Sequence, residues 1–285
     1  MRAGFERAGS EGGAYDAAAL PQAHVRTELL ARLDLVNLAP KVIVDLGAGT
    51  GQGARALKQR FRGSTVIALD SSPALLRQAR RRGSWLRPLQ TLCADALRLP
   101  FKTGSVDLVF SSLLLHWVDD FDAALAEVRR VLAPGGFFAF ATLGPDTLRE
   151  LRAAWATADD APHVMGLRDM HDVGDALSRA GFAEPVLDIE RLTVTYSDVA
   201  TLRHDLKATG AGNALAGRRR GLTTPRRWRR MSEAYEALRT DGVLPATCEV
   251  VYGACWNGGS RPGSAMLEGE ARIPIHAIGH RKRDP

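Results

Sequence analysis

Between residues 41 and 145 the chain alternates short β-branched apolar runs with stretches of helical periodicity. The runs are Val42–Leu46, Thr65–Asp70, Leu89–Cys93, Val106–Ser111 and Phe137–Thr142, and helical patterns over Gln52–Phe61, Pro73–Arg82 and Phe121–Leu132 fall between them. Runs so short and so uniformly apolar predict parallel strands covered on both faces. Upstream, Leu29, Leu30 and Leu33 mark the apolar stripe of one amphipathic helix, with Pro21 in its first turn. Beyond Gly144-Pro145 come helical patterns over Asp146–Ala158 and Asp169–Ala180, the second stopped by Gly181, then strand-like runs at Val186–Tyr196 and Glu249–Trp256. The basic, helical stretch between these two runs is expected to lie over one edge of the sheet. Residues 257–285 hold few large apolar side chains and predict a loosely packed tail. The chain therefore divides into an N-terminal segment (1–40), a core (41–145), a region of helices and last strands (146–256) and a tail (257–285). The fold class is α/β, with a doubly wound, mostly parallel sheet.

Composition adds exclusions. With 285 residues, 45% hydrophobic and 25% charged, the chain is an ordinary globular one, which excludes collagen, coiled coil and general disorder. Apolar runs such as Leu113–Leu115 and Phe137–Ala141 fall far short of the ~18 residues that cross a bilayer, and residues 1–16 contain no apolar signal core. A soluble, cytoplasmic chain without a membrane partner is expected. Cys93, Cys248 and Cys255 have neither metal-ligand spacing nor an even count, so they predict no metal site and no disulfide, but buried thiols. The net charge of +6 is uneven: residues 201–230 carry nine Lys or Arg against Asp205 alone. Such a concentration attracts a polyanion, although a solvated helical face in an arginine-rich chain has the same composition.

The most specific signal is Val44-Asp45-Leu46-Gly47-Ala48-Gly49-Thr50-Gly51-Gln52-Gly53, after a strand and at the start of a helix. Glycines there let the backbone turn sharply and let a ligand approach the main chain at a helix N-terminus. Asp70, 21 residues beyond Gly49 at the next strand end, is placed to accept both ribose hydroxyls of an adenosine. Dinucleotide folds use the same two devices. Two further carboxylates discriminate: Asp45, two positions before the first glycine, is unhelpful beside a pyrophosphate but suits a cationic ligand such as S-adenosylmethionine. Asp95, at the third strand end, is placed for an adenine amino group. All three lie where ligands bind open α/β sheets. The alternatives are a nicotinamide dinucleotide and three carboxylates that merely cap.

DLGAGTGQG, ALD, CADALRLPF, SVDLVFSSLLLHW and VLAPGGFFAFATLG resemble the successive motifs of class I, seven-stranded methyltransferases, over residues 41–145. The resemblance implies an antiparallel last strand at Glu249–Trp256 and S-adenosylmethionine as cofactor. Its binding set would be Asp45, Gly47, Ala48, Gly49 and Gly51, then Asp70, Ser71, Asp95, Ala96 and Ser111. A wider resemblance, over about residues 5–256, is to the malonyl-acyl carrier protein O-methyltransferases of biotin synthesis. It rests on Tyr15-Asp16-Ala17-Ala18-Ala19, SSLLLHW, TLGPDTLRELRAAW, DDAPHV, LKATGAGNAL, RRRGLTTP and EVVYGACW. The approach to Tyr15 is a few residues longer than that family's spacing, and residues 257–285 match none of its motifs.

The implied reaction is methyl transfer to the free carboxylate of a malonyl thioester. That carboxylate is ionised at neutral pH, so alignment and exclusion of water suffice and no general base is required. Tyr15 and His116 are the candidate catalytic residues and Trp117 a candidate wall of the substrate pocket; each also has an ordinary structural reading, as a helix cap, a satisfied histidine and a packed aromatic. An arginine is the natural clamp for a carboxylate. Arg218, Arg219 and Arg220, in the basic stretch, would bind the acidic carrier protein. Nucleic acid is the competing polyanion, but no recognised nucleic-acid motif accompanies the charge. Other readings are a methyltransferase for another small acid or a quinone precursor, and an assembly or protein-arginine-modifying relative with the same fold.

Overall fold

The computed structural model describes residues 5–6, 16, 18–83, 88–210 and 221–258. Seven strands form one sheet in the order β3-β2-β1-β4-β5-β7-β6. They are β1 (Val42–Leu46), β2 (Thr65–Asp70), β3 (Gln90–Cys93), β4 (Val106–Ser112), β5 (Leu132–Leu143), β6 (Phe182–Tyr196) and β7 (Leu244–Asn257). The first five pair in parallel, and β7 runs antiparallel between β5 and β6. The expected α/β architecture is the one found, with strands predicted to within a few residues. The chief differences are β7, which begins at Leu244, and β5, which begins at Leu132 and carries an irregularity before Phe137, where Gly135 is left-handed and the register with β4 shifts.

Helices α1 (Leu20–Arg32), α2 (Gln52–Arg60), α3 (Pro73–Arg82), α4 (Phe121–Val131), α5 (Arg149–Ala156), α6 (Met170–Arg179), α7 (Val199–Ala208) and α8 (Pro225–Glu236) flank or extend the sheet. Their N-termini follow local chemistry. Ser72, Asp120, Asp169, Asp198 and Thr224 each accept a backbone N–H with the side chain, and Pro73 and Pro225 take first-turn positions where no donor is lost.

Alternation along the strands splits the core in two. Val44, Val109, Phe138 and Phe140 pack against Leu125 and Val128 of α4 and Val173 and Leu177 of α6. Ile43, Leu108, Phe110 and Tyr252 face the other way, onto Val25 and Leu29 of α1 and Leu57 of α2. Helix α1 is tied to the far edge: Arg32 lies 3.8 Å over the Tyr252 ring and pairs with Asp188 at 2.8 Å, while Tyr252 Oη and His24 both bond the Glu190 carboxylate.

The basic stretch does not simply overlie a sheet edge. β5 leaves β7 at the Leu143–Val250 pair, but β6 and β7 continue together for six more pairs, from Arg191–Glu249 to Tyr196–Leu244. This two-stranded ribbon would be marginal alone. It is covered by α5, α7 and α8, whose Ala154, Val199, Leu202, Met231 and Tyr235 close a third apolar core with Leu244 and Ala246. Buried Glu249 sits at the point of departure, accepting from Asp146 N at 2.9 Å and Arg191 at 3.0 Å, and so clamps the β5–α5 loop to the ribbon.

The tightest approach in the sheet is at Gly253, paired with Phe140, whose ring lies where a β-carbon would stand: a Cβ on Gly253 would come within 2.1 Å of Phe140 Cζ. Gly253→Ala is therefore expected to lower stability in urea unfolding by about 1–3 kcal/mol through overpacking; a neutral substitution would show that Phe140 has another rotamer available.

Candidate functional site

The site is built at the carboxyl ends of β1 to β4, where order reverses between β1 and β4. The loop after β1 turns through three left-handed glycines, Gly47, Gly49 and Gly51, with φ of 78°, 53° and 81°. No other residue adopts these angles without strain, and Cβ atoms on Gly47 or Gly51 would also strike Leu114 or Ala79 at 2.7 Å. Gly47 N and Ala48 N donate to Leu69 O, and Gly49 N donates to Asp70 Oδ2 at 2.9 Å, so the loop is tied to the end of β2. Ser72 N donates to the other Asp70 oxygen at 2.8 Å.

These residues open into a cavity of about 1700 Å³ that runs from the glycine loop to the third core. Asp45, Gly47, Ala48, Gly49, Asp70 and Ser71 line one end of it, together with Asp95 and Ala96. Gly51 and Ser111 do not line it. Gly51 caps α2 in the left-handed conformation and packs on α3, while the Ser111 hydroxyl is buried without a partner on the opposite side of its strand from cavity-lining Phe110 and Ser112. Asp95 is exposed at the mouth and accepts from Leu97 N at 2.9 Å. Cys93 beside it is exposed, contrary to the expectation of a buried thiol, because β3 is a short edge strand; Cys255 is buried and Cys248 half-buried in the cavity wall.

Electrostatically the bowl is unusual at three residues. Asp45 is 3% exposed and its Oδ2 has no hydrogen-bond partner; burial pushes its carboxyl up to about 7. Burial also raises Asp70, against the backbone N–H groups of Ser72 and Gly49. His116, in the short helical turn Leu115–Trp117 after β4, faces the same cavity, and desolvation pushes its imidazole down to about 3, so it is neutral. Its Nδ1 lies 3.5 Å from Thr142 Oγ1 at the end of β5, and its ring is tilted against Trp117 at 5.0 Å. Phe5 meets Trp117 edge-on at 5.3 Å. Tyr15 and Arg218–Arg220 lie outside the described residues.

Sequence reasoning passed over several contributors. Asp16, from the N-terminal segment, accepts from Thr50 Oγ1 at 2.9 Å and Gln52 Nε2 at 3.0 Å and pairs with Arg82, so it straps the glycine loop. Leu113 and Leu148 line the cavity with φ of 59° and 54°, left-handed positions that cost a branched side chain energy and mark a constrained wall. The other end of the cavity is lined by Trp155, His163, Arg203, Lys207 and Trp228. Asp16, Leu113, Leu148, Trp155, His163 and Lys207 stand in quoted motifs without a role having been read from them, whereas Arg203 and Trp228 stand in none; tertiary contacts bring all of them to the cavity. Among the described residues no cluster of His, Cys, Asp or Glu is arranged to hold a metal ion, and no helix is long and apolar enough to cross a membrane.

A family model described as a methyltransferase domain matches residues 44–140. The chain is 48% identical over 284 residues to the malonyl-acyl carrier protein O-methyltransferase of Laribacter hongkongensis, covering 97% of this chain and 95% of that protein. It is 47% identical over 271 residues to the enzyme of the same name from Halorhodospira halophila, covering 94% and 92%. Among solved structures, phosphoethanolamine N-methyltransferase 2 of Haemonchus contortus, in complex with S-adenosyl-L-methionine, superposes with a TM-score of 0.53 at 16% identity, covering 87% of this chain and 56% of that one. The YcgJ protein of Bacillus subtilis gives 0.58 at 16% identity, with 82% and 99% covered. At that identity the two structures establish the fold alone, whereas the near-full-length relatives establish the lineage: the chain belongs to the methyltransferase-domain family and, within it, to the malonyl-acyl carrier protein O-methyltransferases.

Proposed function

We propose that this protein transfers the methyl group of S-adenosylmethionine to the free carboxylate of a malonyl group carried as a thioester on acyl carrier protein. The observation that carries the reading is the unpartnered, buried Asp45 oxygen beneath the left-handed glycine loop, a seat that suits a cation and disfavours a pyrophosphate. Asp70 would take the ribose hydroxyls, Asp45 the cationic amino-acid end, and Asp95 with Ala96 and Ser71 the adenine side; Gly47, Ala48 and Gly49 leave the main chain open to contact, and Gly51 and Ser111 support the loop and strand from behind. When bound, the sulfonium supplies an electrophilic methyl group.

The chain's own work is then positional. A carboxylate acceptor carries no proton to remove, and His116, held neutral by burial, is suited to hydrogen-bond and orient an acceptor oxygen rather than act as a base. Trp117, with Phe5 against its edge, walls the cavity from water. Tyr15 would close the same side, and the acidic carrier would dock on the basic stretch around Arg218, Arg219 and Arg220. A cytoplasmic location fits the carrier-linked substrate.

Asp70→Ala is expected to weaken S-adenosylmethionine binding in calorimetry by about 1.5–3 kcal/mol, through loss of charge-assisted hydrogen bonds; unchanged affinity would remove Asp70 from the site.

The opposed shifts of Asp45 and His116 give a second expectation. Between the ordinary values of 3.8 and 6.5, the unliganded native state keeps a proton on Asp45 that the unfolded chain has released, which makes stability fall as pH rises. Over the same window it lacks a proton on His116 that the unfolded chain holds, which makes stability rise. Each slope approaches about 1.4 kcal/mol per pH unit, and in the wild type they offset each other. Relative to wild type, Asp45→Asn should therefore gain stability from about pH 4 to 6.5, and His116→Phe should lose it. Urea unfolding across pH checks the signs; parallel profiles for the two variants would contradict the assignment.

Reversing Arg218, Arg219 and Arg220 to Glu should raise KM for malonyl-carrier protein several-fold and flatten its salt dependence, with kcat little changed, because such contacts bind ground and transition states alike. Normal carrier kinetics at low and high salt would place docking elsewhere.

A further inference from the structure

The cavity's second end carries charge that the methyl-transfer geometry leaves unused. Helix α7 turns Val199 and Leu202 into the third core, while Arg203 and Lys207, four residues apart and therefore neighbours on one face, line the cavity. Among the described residues neither has an ion-pair or hydrogen-bond partner. Arg203 is nevertheless oriented: its Cζ lies 5.1 Å from the centroid of the Trp228 ring. Trp228 in turn meets Trp155 edge-on at 6.2 Å, and Trp155 stacks on His163 at 3.7 Å with the rings 7° from parallel. The row is pinned at its far end, where His163 Nε2 lies 2.7 Å from an Asp159 oxygen and Arg227 approaches the other at 3.5 Å. Asp159 is thus already occupied and does not neutralise Arg203. Both cations are exposed and line the cavity, and an aromatic platform that holds such a guanidinium beside an ammonium suits an anion arriving from solvent.

Two anions belong to the proposed substrate: the malonyl carboxylate and the phosphate of the phosphopantetheine arm. The carboxylate loses its charge on methylation, so a cation pair held on it would favour the ground state over the transition state and slow the reaction. The phosphate keeps its charge throughout, and contacts to it add affinity without opposing chemistry. The cations also stand on α7, which packs on β6 of the ribbon and on α8, whereas Asp45 and Gly47 lie at the end of β1 and His116 follows β4. We infer that Arg203 and Lys207, with Trp228 as platform, form a seat for the phosphate of the phosphopantetheine arm, the group that carrier-linked and coenzyme A thioesters share. This inference rests on the proposed substrate class and extends it to the arm.

The test compares malonyl-carrier protein, malonyl-coenzyme A and malonyl-pantetheine, which lacks the phosphate, as acceptors for wild type, Arg203→Gln, Lys207→Gln and the conservative Arg203→Lys. The ratio of KM for each phosphate-bearing thioester to KM for malonyl-pantetheine should change about tenfold against the phosphate-bearing substrate in the Gln variants, the loss expected for one charge-assisted bond, with kcat ratios constant and partial recovery in Arg203→Lys. Calorimetric titration of 4′-phosphopantetheine against pantetheine reads the seat without turnover: wild type should prefer the phosphorylated form and Arg203→Gln should not. An equal KM rise for all three thioesters would put the cations on the acyl group and overturn the inference. So would a change confined to the carrier protein, which would make them a surface dock, or an unchanged titration. A wild type that methylates none of the three would refute the proposed reaction, while the titration would still decide the seat.

Discussion

Burial of one carboxylate governs the arrangement of this molecule. Asp45, next to the end of the inner strand β1, has an oxygen that meets no donor, in surroundings that favour its protonated form. Leaving a charged acceptor unpaired in such a place costs several kcal/mol, a cost that a structural residue would not retain. The neighbourhood is shaped around it. Gly53 has no side chain where a Cβ would come within 2.7 Å of its Oδ2, the left-handed glycines hold the loop open above it, and Asp16 straps that loop from the outside. On the proposed reading a cation seated here would relieve the carboxylate, so ligand affinity and the burial of Asp45 are two aspects of one constraint.

The same reasoning explains what the site lacks. His116 is stripped of basicity by the burial that raises Asp45, and the Thr142 hydroxyl lies 3.5 Å from its Nδ1. Asp45 is pushed toward its neutral form from one side and His116 from the other, so neither adds full fixed charge at the strand-end side of the cavity. Arg203 and Lys207 of α7 add positive charge at the opposite end. On the proposed reading, the long-range attraction that brings the substrate in acts at that end, on groups that do not react.

How much of this was legible in the sequence follows from how local each signal is. β1 and β2 and helix α3 have the limits that the apolar runs predicted, because a parallel strand buried on both faces is written as a continuous run and Ser72-Pro73 announces its helix. Asp45, Gly47, Gly49, Asp70 and Asp95 sit on one local device, the ends of successive strands, and line one cavity end. Ser111 was misjudged toward the pocket because strand alternation turns on a single residue: Phe110 and Ser112 line the cavity and Ser111 does not. Asp16, Thr142 and Trp155 stood in quoted motifs but, like Arg203, were given no role, because each acts through partners distant in sequence. The exposed Cys93 escaped because an edge strand of four residues has too little cover to bury its last side chain.

The ribbon beyond β5 is what permits the two ends of the cavity to differ. A seven-stranded sheet that stopped with β5 would offer only the strand-end bowl. By running six pairs further, β6 and β7 support a separate apolar core, and Glu249, buried at the branch point and bonded to Asp146 N and Arg191, fixes the angle at which that core stands over the bowl. Glu150 adds a second tie, accepting from Thr247 N at 3.0 Å and from the Thr247 hydroxyl. The helices on the ribbon can therefore vary in charge and aromatic content without disturbing the packing beneath the glycine loop, since the third core shares none of its buried residues with the two that face the sheet. On the proposed reading, cofactor chemistry and substrate selection thus fall to different hydrophobic cores, joined by a polar clamp.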